Sequence, residues 1–234
     1  MNDKHSNINA IKDALKQILD EKRFAHTLAV CEVAVMLAER FGADKEKAYL
    51  AALLHDCARG FDNEQLLKYC NENNIELDDY MKSDINPVHA LAGAHMAIHR
   101  FGISDNEILN AIRRHAVGCE DVTLLDKIIL VADATEPNRT GADAEEARIA
   151  AETNLDKALA PVMRIKSYYL QGRPMHPNGI KMLEKYNPAN IVNLVENSPK
   201  ARPKPAAVGG FSGEACGDFQ FDSLYLNGGI DNDL

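Results

Sequence analysis

The sequence predicts an all-α protein, because apolar residues recur at helical spacing almost everywhere up to about residue 187 and no segment reads convincingly as a strand. Helix start and stop residues supply a third observation, since they fall between the apolar runs and divide them into separate helices.

Taken in order, Ile8, Ile11, Leu15, Ile18 and Leu19 give a first helix at 8–22. Leu28, Val30, Val33, Val35 and Leu37 give a second at 23–41, which Gly42 ends. A third, at 44–58, runs through the apolar stretch AALLHDCARG. Asp62 to Gln65 reads as a capping box opening a helix at 63–74, and 75–86 is the one longer connection. Pro87 suits the first turn of a helix at 87–101, and Ser104 to Glu107 reads as a second capping box before 105–116. Further helices are expected at 123–135, 143–170 and 176–186, the last after the proline-rich RPMHPN. The result is an irregular helical bundle forming one catalytic domain over 1–187. Residues 188–234 include KARPKPAAVGGFSGEACGDFQ, rich in proline, glycine and small residues, and read as a linker or partly disordered tail. No repeat with a period of 20 to 50 residues is visible.

Composition narrows the partners. With 234 residues, 46% of them hydrophobic, the chain can bury one sizeable core. A net charge of −9 argues against nucleic-acid polymers and anionic membranes, which need a positive surface. A small anionic ligand stays compatible if cations gather locally. The N-terminus lacks the apolar run of a secretory signal, and no stretch approaches the ~20 apolar residues of a membrane span. Five cysteines without a C-x-x-C pair suggest neither a disulfide framework nor a zinc ribbon, so a cytoplasmic setting is expected. A homodimer is left open.

The chemistry is carried by histidines and aspartates in apolar surroundings. His55 and Asp56 close the apolar run Leu53-Leu54, where a buried acid costs several kcal/mol unless a cation or hydrogen-bond donors compensate. Arg59, three residues beyond Asp56 on the same helical face, is placed to grip a phosphate. Asp133 lies within the apolar face of LDKIILVADATEPNR. His26 in RFAHTLAV, His89 in NPVHALAG and His115 in AIRRHAVG each sit among apolar residues on other helices. A single such histidine packs into a core more often than it ligates. Four histidines with two aspartates on five helices imply a shared centre instead. Imidazole and carboxylate without thiolate suit iron, manganese, zinc or nickel, any of which lowers the pKa of bound water. His95 and His99 form a separate pair, read as surface or packing residues, and His176 is placed near the site mouth.

The ordered set His26, His55-Asp56, His89, His115 and Asp133 resembles the HD-domain phosphohydrolases. A closer resemblance is to the YqeK family, carried by Arg23 to His26, Leu53 to Arg59, Pro87 to His89, Ala111 to Gly118, and Asp126 to Arg139, within about residues 8 to 187. The resemblance implies an HD-domain helical bundle, an iron-containing centre and symmetrical hydrolysis of diadenosine tetraphosphate to two ADP. By the same resemblance His26, His55, Asp56 and Asp133 hold the principal metal, and His89 and His115 hold a second ion or contact phosphate. Asp56, Arg59 and Arg139 are then the catalytic residues, with Arg59, His89, His115, Ala116 and Arg139 against the substrate. Glu136 is expected to order the turn that presents Arg139. Three positions depart from the family pattern: Arg59 stands for a common Lys, Cys57 for an aromatic and Ala116 for a Thr whose hydroxyl could donate to phosphate.

Two other readings use the same residues. One is an HD-type phosphohydrolase of mononucleotides or deoxynucleotides, recognised by release of inorganic phosphate. The other is a non-catalytic nucleotide-binding regulator, recognised by tight binding without turnover.

Overall fold

Short polar side chains decide where most of the helices begin. In the computed structural model, which describes residues 2–170 and 172–186, α1 (Asn2–Ile18) is followed by Asp20, whose carboxylate accepts the Arg23 N–H at 2.7 Å and starts α2 (Glu21–Phe41). Asp44 starts α3 (Lys45–Leu54), Asp62 starts α4 (Asn63–Glu72) within a complete capping box with Gln65, and Asp78 starts α5 (Asp79–Ser83). Each cap satisfies N–H groups that have no partner inside the helix, worth about 1 kcal/mol apiece. α6 (Val88–His99) begins after Pro87 without a side-chain cap. α7 (Asn106–Val117) and α8 (Leu124–Thr135) are capped by Asp105 and by a Thr123–Asp126 capping box. α9 (Ala142–Ala151), α10 (Leu155–Leu170) and α11 (Pro177–Tyr186) complete the described chain, which contains no strand. No described helix is long and apolar enough to cross a membrane.

The all-helical expectation therefore holds, with local differences. The helix expected at 143–170 is two, because the Asn154 side chain accepts the Lys157 N–H at 3.0 Å and restarts the helix as α10. The connection 75–86 contains α5, which the Asp78 cap creates. The N-cap before α7 is Asp105 rather than Ser104, since its carboxylate accepts from Glu107 and Ile108. The helix expected to reach residue 58 ends at Leu54, so His55 and Asp56 lie in a turn. Gly60 closes that turn against α1, where a Cβ would stand 2.0 Å from the Ile18 carbonyl oxygen, so only glycine lets the chain pass. The tail expected over 188–234 lies outside the described residues.

α8 is the centre of the packing. Ile128, Ile129, Leu130, Val131 and Ala132 are all at most 1% exposed, so α8 is buried nearly all round, with α2, α3, α7, α9 and α10 against it. α2 and α3 meet through Ala34, Ala38, Ala48, Ala51 and Ala52, all fully buried, whose small side chains allow close approach. Fully burying each large residue, such as Leu37, Leu53, Leu54 or Ile112, contributes about 1.5–3 kcal/mol. Rigid packing of α2, α3, α6, α7 and α8 fixes the polar residues that end or begin these helices beside one another.

Candidate metal centre

Three histidines share one local device. His55 Nδ1 donates to the Ala52 carbonyl at 2.6 Å, His89 Nδ1 to Asn86 at 2.6 Å, and His115 Nδ1 to Ile112 at 2.7 Å. Each acceptor is the backbone oxygen three residues earlier, a bond that the helical or turn geometry supplies locally. A carbonyl only accepts, so Nδ1 carries the hydrogen and Nε2 is left with its lone pair. His26 is held differently, with Nδ1 at 3.2 Å from Glu136 Oε1 and Nε2 at 3.2 Å from Asp133 Oδ1.

The four Nε2 atoms converge on two aspartates. His89 and His115 Nε2 are each 3.4 Å from Asp56 Oδ1, and His55 Nε2 is 3.6 Å from Asp56 Oδ2. Two triads result, His26–His55–Asp56 and Asp56–His89–His115, in each of which the ligand atoms lie within 4.8 Å of one another. Asp56 belongs to both, and Asp133 adjoins the first through His26. His89 and His115 present their Nε2 atoms to each other at 3.2 Å. With both Nδ1 hydrogens committed to carbonyls, two lone pairs face each other there, an arrangement that a shared cation relieves.

Burial and charge agree with that reading. Burial pushes the imidazoles of His55 and His89 down to about 4 against the opposing pull of Asp56, so at neutral pH both are uncharged donors. Burial alone would raise the Asp56 and Asp133 carboxyls, but the surrounding imidazoles, with Lys166 and Arg139 also acting on Asp133, hold both well below the usual range. For His26, burial works downward and the Asp133 carboxylate outweighs it, leaving a net rise. The Nε2 atom of His55 is buried without a hydrogen-bond partner, a costly state for a polar atom that coordination would remove. The donor set of imidazole nitrogens and carboxylate oxygens, with the far ring nitrogens of all four histidines anchored, fits a divalent metal.

Cations line the same centre. Arg23 Nη1 donates to Asp56 Oδ2 at 2.8 Å, and Arg59 Nε lies 3.6 Å from Asp56 Oδ1 while its Nη1 donates to Asn86 Oδ1 at 2.8 Å. Arg139 grips Asp133 twice, from Nη2 to Oδ1 at 2.8 Å and from Nε to the backbone oxygen at 2.9 Å. The turn that carries Arg139 is itself clamped by Arg148 of α9, which donates to the carbonyls of Thr135, Glu136 and Arg139.

The structure thus brings together His26, His55, Asp56, His89 and His115, with Asp133, Arg59 and Arg139 in contact with them. Ala116 follows His115, half-buried and without a side-chain donor. His95 sits apart, bonded through Nδ1 to the Tyr69 hydroxyl at 2.8 Å and stacked on His99, as the packing reading expects. His176 bonds Asp78 Oδ2 at 2.8 Å, and α11 behind it packs on Gly118, where Met182 Sδ would stand 3.1 Å from an added Cβ. Arg23, Arg148, Lys166 and the hold of Glu136 on His26 were not assigned these roles from the sequence. Only Arg23 had a local signal, its place three residues before His26 on one helical face.

Comparison with known proteins agrees with this geometry. Residues 23–138 match the HD domain family, a span that contains all six proposed ligands. The symmetrical bis(5'-nucleosyl)-tetraphosphatase of Bacillus subtilis (strain 168) is 38% identical over 168 residues, 70% of this chain and 89% of that protein. Its counterpart from Halalkalibacterium halodurans is 36% identical over 70% of this chain and 88% of its own length. The crystal structure of a predicted HD superfamily hydrolase involved in NAD metabolism, from Clostridium acetobutylicum, superposes with a TM-score of 0.73 at 35% identity, covering 78% of this chain and 97% of that one. With its His/Asp centre in an all-helical frame and relatives matched over nearly their whole length, this chain belongs to the HD-domain family, in the branch of the symmetrical bis(5'-nucleosyl)-tetraphosphatases.

Proposed function

We infer that this chain is a metal-dependent phosphohydrolase that splits diadenosine tetraphosphate symmetrically into two ADP. The observation that carries the metal is the pair of triads sharing Asp56, with the far nitrogen of each histidine anchored. The substrate is that of the curated relatives named symmetrical bis(5'-nucleosyl)-tetraphosphatase.

His26, His55, Asp56 and Asp133 would hold one ion, and Asp56, His89 and His115 a second, with iron as the proposed metal and manganese, nickel or zinc as alternatives with the same ligand preferences. When bound, such ions polarise phosphate oxygens and lower the pKa of a coordinated water. In the reaction, the oxygen of water bonds to one of the two central phosphorus atoms, the bridging P–O bond between the two halves breaks, and each half leaves as ADP. Arg59 and Arg139 are placed to neutralise charge as it builds on the phosphoryl and leaving oxygens, being fixed by Asn86 and by Asp133. Arg23 holds Asp56 in one orientation from the opposite side of the carboxylate.

A cytoplasmic setting is part of the same proposal, supported by the free and buried thiols of Cys31, Cys57 and Cys70. Catalysis is assigned to 1–187, with 188–234 as an extension. Action as a homodimer is a separate proposal that sedimentation would decide.

The test is incubation of the purified protein with diadenosine tetraphosphate and manganese or anaerobic ferrous iron, with the products resolved by anion exchange and Asp56→Ala run alongside. Two ADP per substrate, lost in the variant, support the assignment. ATP with AMP would refute symmetrical cleavage, and turnover of mononucleotides alone, with release of inorganic phosphate, would place the chain among other HD phosphohydrolases.

A further inference from the structure

Lys166 and Tyr169 stand three residues apart on α10 and therefore share a face of that helix. The face is turned to the metal centre, because Lys166 Nζ donates to the His115 carbonyl at 2.6 Å. That carbonyl is its only hydrogen-bond acceptor among the described residues, which leaves two ammonium hydrogens for a ligand. Arg23 and Arg139 each give part of their donors to Asp56 and Asp133.

Tyr169 is 57% exposed, a large aromatic left in water beside a strongly polar site. Its backbone is tied to the other rim of the site. Arg173 Nη2 donates to the Tyr169 carbonyl at 3.3 Å while Arg173 Nη1 pairs with Asp84 Oδ2 at 2.9 Å. Asp84 Oδ1 accepts the Asn86 N–H at 3.1 Å, and Asn86 receives both Arg59 and His89. The stretch of α10 that carries this exposed ring is thus tied through its backbone to a chain of bonds leading back to His89, while the ring itself meets that of Tyr168 edge-on at 6.3 Å. A ring so placed offers a π-face to any planar group carried by an anion seated on the metals.

We propose that the Lys166–Tyr169 face of α10 is the nucleoside wall of this site, Lys166 contacting the polyphosphate and Tyr169 stacking on a nucleobase. The ligand class rests on the function proposed above; the location rests on the geometry alone. Phosphate groups in a chain resemble one another, so a base held at a fixed place is what sets how many phosphates separate the nucleoside from the reacting centre.

The experiment compares binding of ADP and of pyrophosphate to the manganese-loaded full chain by titration calorimetry. Wild-type protein is expected to bind ADP more tightly than pyrophosphate. Tyr169→Ala should weaken ADP by about 5- to 30-fold and leave pyrophosphate unchanged, while Tyr169→Phe restores ADP binding because stacking needs the ring and not the hydroxyl. Lys166→Met, checked for unchanged metal content, should weaken both ligands alike. Equal wild-type affinity for the two ligands, or an ADP preference that survives Tyr169→Ala, overturns the wall. Hydrolysis of diadenosine tetraphosphate is a separate readout. A protein that shows the base preference without splitting the dinucleotide keeps the wall and loses the proposed activity, and the converse loses the wall alone.

Discussion

His89 Nε2 and His115 Nε2 stand 3.2 Å apart, and each ring is locked through Nδ1 to a carbonyl in its own chain segment. Neither ring can turn to present a hydrogen to the other without abandoning that bond. The pair is therefore built around a cation, and with Asp56 common to both triads the centre is expected to take two ions. Metal analysis should give two equivalents in the wild type and one in the double variant His89→Ala/His115→Ala. One equivalent in both would remove the second ion and leave the pair to phosphate.

Glu136 acts on the metal through His26. Its Oε1 lies 3.2 Å from His26 Nδ1 while Oε2 accepts from the Asn138 backbone and side chain, so the carboxylate orients the imidazole and is itself fixed. Glu136→Gln should lower metal affinity by about 10- to 100-fold with little change in melting temperature of the metal-stripped protein. An unchanged affinity in a chelator competition would confine Glu136 to shaping the turn.

Arg148 holds the turn after α8 by donating to three of its carbonyls. Arg148→Met keeps the aliphatic stem and removes the donors, leaving those oxygens to water. The expected result is a loss of about 1–3 kcal/mol in urea unfolding together with a lower kcat, because Arg139 is no longer held on Asp133. Full activity in the variant would show that Arg139 is placed by Asp133 alone.

Acid should destabilise the metal-stripped protein through His55 and His89. Both are pushed by burial from 6.5 to about 4 in the fold, so between these values the unfolded chain binds more protons than the folded one. Their contribution is present above pH 6.5 and is lost as pH falls toward 4, at about 1.4 kcal/mol per pH unit for each histidine. Urea midpoints followed from pH 7 to 4.5 check the slope, and a flat profile would mean that both imidazoles are already protonated in the fold.

Truncation after residue 197 should leave hydrolysis intact, since every residue assigned to the centre and its wall lies between Arg23 and Tyr169. An inactive, folded truncation would move the domain boundary into the tail.

The local signals in the sequence singled out the six proposed ligands because each is a polar residue within an apolar helical run, and burial of such groups demands a partner wherever they end up. They also gave the helical class and the capping box at Asp62, which depend on neighbours no more than four residues away. The sequence did not show that α9 and α10 separate at Asn154, where a short polar cap interrupts an otherwise helical pattern. Nor did it show the sharing of Asp56 between two triads, the grip of Arg23, the clamp of Arg148 or the reach of Lys166 to His115, which join residues 9 to 59 positions apart and exist only once α8 has gathered its neighbours. Residue type and helical period fixed which groups needed compensation; the packing of five helices around α8 decided which of them compensate one another.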